Sequence, residues 1–544
     1  MPTTTGRATD FITFSRASNA TVVASDGKIK WAGHNILTNS ETFDNAAWVK
    51  TSATVSANSD PAPDGTTTAD TIAASGANGT ALQAYTAAGF SMTFAVWLRR
   101  KTGTGTVEIA ADSGTYTAVT ITSSWALYTV TQTPASGSRN AGIRIVTSGD
   151  EVYAWGAHLY RSDLGGMVAN PARGDSYYPT TSAAYYAPRL DYDPVTLAAK
   201  GLLVEELRTN LLTRSNELNN WLTVRASVTT NAAVSPDGTS SAEKIIEDNT
   251  ASNSHFIYNT YTSAGGAYTF SVYAKAAERN WLLLYPGGSS TFVWFNLSTG
   301  TVGTAEANIT ASSITPVGNG WYRCTATATI SSGAQAAQIN IASANGTSNY
   351  TGDGSSGILV YGAQIEAGSF PTSLIVTGAA SATRSADVAS VATSQFPYSA
   401  TEGTLVANAT FFGLPVPGLI NRSVVSLGDG TPFDNYAQIM WWESGNFGAF
   451  NVGSGGSSVA LLGLGAIAQG ATKKIAAAYK ANDFAASMDG GSVVADTAGA
   501  VPSNVSSLYL GQIGANVFMF NGHIRQITYI PRRLTNAELQ SRTA

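Results

Sequence analysis

The sequence predicts an all-β protein built from two copies of one β-sandwich, followed by a third and different sandwich. Short runs of alternating apolar and polar residues recur along the chain, separated by clusters of Gly, Asp, Asn and Ser. Such runs are typical of antiparallel strands joined by turns, and helical periodicity is nearly absent. Five blocks of sequence also occur twice in the same order, which indicates an internal duplication.

Composition limits the function classes. Charged residues make up 12% of the chain, so hydroxyl and amide groups must supply much of the polar surface that contacts water. The net charge is −5 and no basic tract occurs, which argues against nucleic-acid binding. No apolar run approaches the roughly 20 residues that span a bilayer. The N-terminus lacks the basic-then-apolar pattern of a signal peptide, which predicts synthesis in a cytoplasm without membrane insertion.

The repeated blocks define the first two sandwiches, predicted at residues 35–160 and 210–385. A segment of strand character, residues 1–34, precedes them. The second copy carries additional residues between its third and fourth blocks. The blocks begin at Asn35, Pro63, Thr93, Trp125 and Trp155 in the first copy and at Asn210, Pro236, Thr269, Trp321 and Tyr361 in the second.

Residues 161–209 connect the two copies and contain the most specific stretch of the chain. Two carboxylates flank a tyrosine, a proline follows, and an apolar run at 201–204 leads into further charged residues. We interpret this stretch as a strap that lies along both copies and fixes their orientation. Its charges are expected to bond Arg189, Arg208 or backbone amides. The strap residues are Asp191, Tyr192, Asp193, Glu205, Glu206 and Arg208.

A third sandwich is predicted over residues 401–544, after a linker rich in Ser, Ala and Thr at 386–400. Thr535 and Glu538 have the spacing of a capping box, which predicts a short terminal helix. The single cysteine, Cys324, cannot form an intrachain disulfide, and the alternation around it predicts a buried position in a strand.

The stretch at residues 187–221, APRLDYDPVTLAAKGLLVEELRTNLLTRSNELNNW, resembles a segment shared by bacteriophage head-spike, head-fibre and tail-fibre proteins. The sequence Phe14-Ser15-Arg16-Ala17-Ser18 resembles the opening of the same proteins. In those proteins the opening leads directly into this segment, whereas here residues 35–160 are inserted between them.

The two copies resemble the jelly-roll domains of carbohydrate-binding modules. Residues 401–544 resemble a concanavalin A-like, laminin-G-type lectin sandwich, through Gly403-Thr404-Leu405, Met488-Asp489-Gly490 and Gly522-His523-Ile524-Arg525. These resemblances imply a virion-surface spike or fibre, attached through residues 1–34, that binds host-surface polysaccharide. They further imply a homo-oligomer, expected to be a trimer, in contact with other head or tail proteins.

Sugar recognition needs flat aromatic faces with amides and carboxylates around them. Aromatic residues in equivalent blocks of both copies, such as Trp125 and Trp321, are expected to pack the scaffold. Aromatic residues found in one copy or in the third sandwich are better candidates for binding, because loops on a rigid scaffold carry function. The candidate carbohydrate-binding residues are Trp281, Tyr285, Trp294, Asp434, Tyr436, Trp441, Trp442 and Glu443.

No cofactor is predicted, although structural calcium is compatible with the sequence. The Asp-Gly pairs that begin at Asp237, Asp353 and Asp429 supply oxygen ligands of the kind calcium requires, but such pairs are commonly just turns. The four histidines lack the paired spacing of zinc sites.

Catalysis has no clear candidate, and the sequence predicts a protein that is not an enzyme. Glycan cleavage needs two carboxylates across a cleft, and nothing singles out such a pair. The favoured hypothesis is host adsorption through glycan binding. Two alternatives stay open, a purely structural decoration or connector protein and a tailspike polysaccharide depolymerase.

Overall fold

The computed structural model describes residues 11–413, 421–442 and 447–544. The protein is nearly all β, with 52% of residues in strands and 3% in helices, as the alternating sequence predicts. The chain divides into two compact units. The larger unit comprises residues 11–28, Pro188–Pro236 and Ser240–Ala544, and the smaller comprises Ile29–Ala187 with Asp237–Thr239.

The strands of the N-terminal segment and of the first sandwich follow one another closely. In chain order they are β1 (Thr13–Ser15), β2 (Thr21–Val23), β3 (Ile29–Trp31), β4 (His34–Asn35), β5 (Val49–Thr51), β6 (Ala53–Asp60), β7 (Ala69–Ala74), β8 (Gly79–Ala87), β9 (Met92–Thr102), β10 (Val107–Ala110), β11 (Thr117–Val119), β12 (Ala126–Gln132), β13 (Gly137–Ile145) and β14 (Glu151–Arg161).

The connecting region and the second sandwich continue the series. Their strands are β15 (Tyr185–Tyr186), β16 (Arg189–Tyr192), β17 (Ala199–Val204), β18 (Arg208–Asn210), β19 (Leu222–Val224), β20 (Ala226–Ala233), β21 (Ala242–Glu247), β22 (His255–Ser263), β23 (Gly266–Ala276), β24 (Trp281–Tyr285), β25 (Val293–Asn296), β26 (Thr301–Ala305), β27 (Ile309–Gly318), β28 (Trp321–Ile330), β29 (Gly333–Ala342) and β30 (Gly357–Ala367), with a 3₁₀ turn at Leu218–Asn220.

The C-terminal region completes the fold. It contains β31 (Ala382–Arg384), β32 (Val388–Ala392), a 3₁₀ turn at Thr393–Gln395, β33 (Glu402–Phe411), β34 (Arg422–Gly428), β35 (Tyr436–Trp442), β36 (Phe447–Ser454), β37 (Ser457–Ala466), β38 (Thr472–Lys480), β39 (Phe484–Met488), β40 (Val494–Asp496), β41 (Ser507–Leu510), β42 (Gly522–Ile530) and helix α1 (Asn536–Thr543). The predicted capping box of Thr535 and Glu538 is confirmed at the start of α1.

The two sandwiches share one topology. The first pairs its strands in the orders β11-β10-β13-β8-β5 and β12-β9-β14-β7-β6. The second has the corresponding orders β26-β25-β24-β29-β22-β19 and β27-β28-β23-β30-β21-β20, so its additional residues form the edge strands β26 and β27. Apolar residues from the two sheets of each sandwich meet in its core, and Cys324 is buried in the second.

Asn35 and Asn210 mark the same point in the two copies. Each is fully buried. Each donates to two backbone carbonyls and accepts from two backbone N–H groups. Because buried backbone groups need partners, the repeated asparagine performs the same structural task in both copies.

The third sandwich has two seven-stranded sheets, in the orders β1-β32-β41-β34-β35-β36-β37 and β16-β17-β42-β33-β38-β39-β40. Four of these strands come from regions expected to connect or attach. The expected linker 386–400 contains β32, residues 161–209 contain β16 and β17, and residues 1–34 contain β1. These regions therefore contribute strands to the third sandwich, which their expected roles as linker, strap and attachment segment did not include, because a strand that pairs with distant partners needs no strong local signal.

Candidate functional site

Trp281, Tyr285 and Trp294 come together on one face of the second sandwich. β24 pairs with β25 so that Leu283 lies opposite Trp294. Leu282 and Leu284 point into the core, and alternation along a strand therefore turns Trp281, Leu283 and Tyr285 to the outside. Trp281 and Tyr285 are half-buried. β24 and β25 have counterparts in the first copy, so these residues lie on strands common to both copies and not on the additional strands β26 and β27.

Aromatic and amide side chains outside the predicted set of binding residues extend this surface. Asn340 of β29 lies between Leu283 of β24 and Phe256 of β22. Two residues away on β29, and therefore on the same face, Gln338 lies between Tyr285 and Tyr258. Phe256, Tyr258 and Gln338 are half-buried. We call the surface formed by Trp281, Leu283, Tyr285, Trp294, Asn340, Gln338, Phe256 and Tyr258 the aromatic face.

Two polar groups lie at the floor of the aromatic face without a hydrogen-bond partner. Asn340 is 4% exposed and Trp294 is 7% exposed. The Asn340 Nδ2 and the Trp294 Nε1 have no acceptor in the described part of the chain. Other buried donors among the described residues also lack acceptors, but these two lie on one sheet face beside aromatic rings, where a ligand could supply acceptors.

The rings beside this floor are held by the sandwich itself. The Tyr285 ring stacks on Phe292 with centroids 4.7 Å apart and planes 20° from parallel. Its hydroxyl donates to the Gly288 carbonyl, and burial raises the pKa of Tyr285. The neutral hydroxyl is therefore fixed, and a ligand would meet rings that need little reorganisation.

The candidates in the third sandwich do not form one surface. Trp441 is 1% exposed in the core and packs edge-on against Phe411 at 5.4 Å, so its prediction as a binding residue was wrong. Tyr436 and Trp442 point to the opposite face, because side chains alternate along β35. Tyr436 is buried and its hydroxyl accepts from Asn451 Nδ2 at 3.2 Å.

Trp442 is half-buried and packs edge-on against Phe447 at 5.1 Å. Asp434 lies in the turn before β35, where its backbone carbonyl accepts from the Gly456 N–H. Glu443 lies outside the described residues. The Trp441 Nε1 also lacks an acceptor among the described residues, but it lies in the core of the third sandwich and not on a surface.

The strap residue Glu205 lies in a buried ionic cluster, and it also accepts from the backbone N–H and the hydroxyl of Ser373, within the predicted second sandwich. Its carboxylate is 2.6 Å from Arg189 and 2.8 Å from Arg384. Asp387 pairs with Arg189 and, at 2.8 Å, with Arg16. Burial alone would raise the pKa of Glu205, but the two guanidinium groups hold that pKa far below its ordinary value. The cluster joins the N-terminal segment, β16, β17 and the residues before β32.

The other strap residues are also engaged in structure. Asp191 is 2.7 Å from Nε2 of His523 in β42, and Asp193 accepts from the N–H groups of the turn after β16. Turn hydrogen bonds hold the pKa of Asp193 at about 2. Tyr192 is half-buried at the end of β16.

Glu206 forms a second ionic group beside the first. It pairs with Arg208 at 2.6 Å and with Arg422 at 2.5 Å. The Arg208 guanidinium also lies 5.0 Å from the Phe370 ring centroid. With every strap carboxylate hydrogen-bonded, these residues bind parts of the chain to one another and offer no free acid or base.

An open cavity of about 400 Å³ lies at one end of the second sandwich, lined by Arg225, Ala226, Ser227, Glu247, Asp248, Asn249 and Gly354. Glu247 accepts from the Tyr350 hydroxyl at 2.5 Å and the Asp353 N–H at 3.0 Å, and it pairs with Arg279. Burial would raise the pKa of Glu247, but these hydrogen bonds hold it below its ordinary value. This saturated carboxylate stabilises the cavity wall and has little capacity left to act as a base.

Calcium remains a prediction. The Asp353 carboxylate accepts from Ser355 and Ser356 of its own turn, and the Asp429 carboxylate accepts from Thr431 and Asn435. Across residues 11–413, 421–442 and 447–544, no three His, Cys, Asp or Glu side chains converge as metal ligands would. Within the same residues, no helix is long and apolar enough to cross a membrane.

Comparison with solved structures finds sandwich proteins. The tandem CBM22-1–CBM22-2 domain of Xyn10C from Paenibacillus barcinonensis is 10% identical, with a TM-score of 0.20 and alignment over 61% of this chain and 98% of that one. Mouse laminin α1 domains LG4–5 are 10% identical, with a TM-score of 0.20 and coverage of 57% and 94%. At such identities the likeness concerns fold alone. No protein-family model and no curated protein sequence matches the chain.

The sialidase of Trypanosoma rangeli is a further structural neighbour, at 10% identity and a TM-score of 0.22, covering 97% of this chain and 98% of that one. The expectation that the protein is not an enzyme is contradicted by this finding and is withdrawn. At that TM-score no catalytic step is argued from the likeness.

Proposed function

We propose that the protein binds carbohydrate through the aromatic face of its second sandwich. The observation that supports this most directly is the pair of buried donors, Asn340 Nδ2 and Trp294 Nε1, unpaired beneath the half-exposed rings of Trp281 and Tyr285. A pyranose has an apolar C–H side that stacks on aromatic rings and hydroxyl oxygens that accept hydrogen bonds. Aromatic area with a few placed polar groups is the usual composition of a ligand site.

The experiment is binding of the full chain to a glycan array, followed by titration calorimetry with the strongest ligand. Trp281→Ala removes a stacking ring and is expected to weaken binding about tenfold or more. Trp125→Ala is the matched control, because Trp125 is also half-buried but belongs to the first sandwich. Equal affinity of the Trp281→Ala variant and the unmodified chain would remove the aromatic face from the proposal.

We further propose that this binding serves host adsorption by a bacteriophage spike or fibre on the virion surface. The support is the resemblance of residues 187–221 to the segment shared by such proteins. The chain would be made in the host cytoplasm and would assemble as a homo-oligomer, a trimer by that resemblance, in contact with head or tail proteins. Weak individual sites would gain avidity from such assembly.

Cryo-electron microscopy of phage particles labelled with an antibody against this chain tests the location. Density at the head or tail periphery would support the proposal, whereas labelled material found only away from particles would contradict it. A decoration or connector role would be favoured if the aromatic face were buried against another virion protein. Release of reducing ends from host polysaccharide would instead establish a depolymerase.

A further inference from the structure

The sheet that carries the aromatic face has a direct counterpart in the first sandwich. There, Glu108 of β10 pairs with Arg144 of β13, just as Leu283 of β24 pairs with Asn340 of β29. Each of these four residues lies between two core residues on its strand. Glu108 and Arg144 therefore occupy the positions of Leu283 and Asn340.

In the first copy, the polar groups at these two positions bind each other and a neighbouring ring. Arg144 Nε donates to Glu108 Oε2 at 2.5 Å, and the Arg144 guanidinium lies 3.9 Å from the Tyr116 ring centroid. The register extends the row to Ala118 on one side and to Thr80 on the other. The first copy thus has an ion pair and small side chains where the second has Trp294, Leu283, Asn340 and Phe256.

The second copy carries no charge on this sheet. Strands β19, β22, β24, β25, β26 and β29 contain no Asp, Glu, Lys or Arg. The first copy has Lys50, Glu108, Arg139 and Arg144 on the corresponding strands. A carboxylate or sulfate on a ligand would lose its hydration at the aromatic face without meeting a cation from the sheet, which is unfavourable.

We infer that the two copies have diverged in role, so that only the second sandwich binds glycan at this sheet and its ligand is an uncharged glycan chain. The inference rests on the proposed function of the aromatic face. The face crosses β22, β29, β24 and β25, a width of about 14 Å at the usual strand spacing. That width fits several pyranose rings in a row better than a single terminal sugar.

The test uses the full chain against a panel of soluble neutral polysaccharides and polysaccharides bearing carboxylate or sulfate groups. Preferential binding to neutral chains, little changed by added salt, is the expected result. Preference for the acidic chains would overturn the uncharged ligand while leaving carbohydrate binding intact. Binding to neither class would overturn the proposed function itself.

Exchange of the ion pair between copies tests the divergence. The double variant L283E/N340R places the ion pair of the first copy on the second and is expected to weaken neutral-glycan binding about tenfold or more. The reciprocal E108L/R144N removes that pair from the first copy and should leave binding unchanged. A loss in E108L/R144N comparable with that in L283E/N340R would overturn the assignment to one copy.

Folding of each variant is checked by far-UV circular dichroism and thermal unfolding. Should L283E/N340R fail to fold, Asn340→Ala replaces it, because that change removes one unpaired donor without adding a charge. Weaker binding of Asn340→Ala, with the same thermal transition, would support the inference. Unchanged binding would exclude Asn340 from the site and overturn it.

Discussion

The Arg189 guanidinium and the Glu205 carboxylate lie 2.6 Å apart, and neither side chain is exposed to solvent. Arg189 comes from β16, Glu205 directly follows β17, and both strands belong to a sheet of the third sandwich. A buried ion pair contributes little net stability when complete, but removal of one partner leaves an uncompensated charge. The cluster therefore resists any rearrangement that separates its members.

Arg189→Ala is expected to destabilise the larger unit by about 3–5 kcal/mol, because it leaves Glu205 and Asp387 with one buried cation fewer. Lys200→Ala is the control, since Lys200 pairs with Asp193 at 3.2 Å in a partly exposed position and should cost less than about 1 kcal/mol. Native-state hydrogen exchange of the β17 amides measures both. Similar protection in the two variants would contradict the role of the cluster.

The Glu205 carboxylate is expected to make the stability of the protein sensitive to acid. Because the folded pKa of Glu205 is lowered from the ordinary value of 4.5, its contribution is fully present above that value and is lost as the pH falls through the folded pKa. The free energy of unfolding should therefore decline below a pH of about 4.5. Glu205→Gln should flatten this dependence in denaturant titrations at several acidic pH values, and an unaltered slope would refute the assignment.

Glu243 is expected to make the protein less stable as the pH rises, which is the opposite of the dependence expected for Glu205. It is buried in β21, and burial raises its pKa from 4.5 to about 7. The protonated acid is favoured in the folded state, so its stability contribution is fully present below 4.5 and is lost as the pH rises to about 7. Glu243→Gln should stabilise the protein above that pH by about 1–3 kcal/mol.

Glu247→Gln is the matched control for Glu243→Gln in thermal unfolding at alkaline pH. The pKa of Glu247 is lowered, because hydrogen bonds from Arg279 and Tyr350 outweigh its burial. Removal of its charge should therefore destabilise the protein. If the two glutamine variants shifted the unfolding transition in the same direction, the assignment of Glu243 would fail.

The division of the chain predicts that residues 29–187 are dispensable for folding of the larger unit. The Val23 N–H donates to Asp191 Oδ1 at 2.8 Å and Arg189 Nη1 donates to the Thr21 carbonyl at 3.2 Å, so the chain segments on either side of the smaller unit are neighbours. Replacement of residues 29–187 by a short Gly/Ser linker should preserve β-structure by circular dichroism and a cooperative thermal transition. Aggregation or a molten product would contradict the prediction.

Replacement of the Asn210 side-chain amide is expected to lower the stability of the protein strongly. Its Nδ2 donates to the carbonyls of Ala363 and Ile375, and its Oδ1 accepts from the N–H groups of Leu212 and Ile365. Asn210→Ala leaves these buried groups unpaired and should cost about 2–4 kcal/mol in chemical denaturation.

The exposed Asn308, which makes one hydrogen bond to Ser289, is the control for Asn210. Asn308→Ala should change stability by less than about 0.5 kcal/mol. A comparable cost for the two substitutions would contradict the structural role shared by Asn35 and Asn210.

Part of the candidate site was accessible from the sequence. Trp281, Tyr285 and Trp294 were selected because the second copy has aromatic residues there that the first lacks. Phe256 and Asn340 were missed, although alternation along residues 255–263 and 333–342 puts each on the same side as its neighbours two positions away. That pattern identifies a face, but it does not reveal which strand lies beside which.

The sequence by itself determined the all-β fold and the duplication, because alternation and repeated blocks are properties of residues close together in the chain. Only the tertiary structure decided that β1, β16, β17 and β32 join the sheets of the third sandwich and that Trp441 is in the core. It also decided that the first copy has an ion pair at the position where the second copy has the aromatic face. The physical reason is that sheet membership depends on pairing between distant segments, which local sequence does not encode.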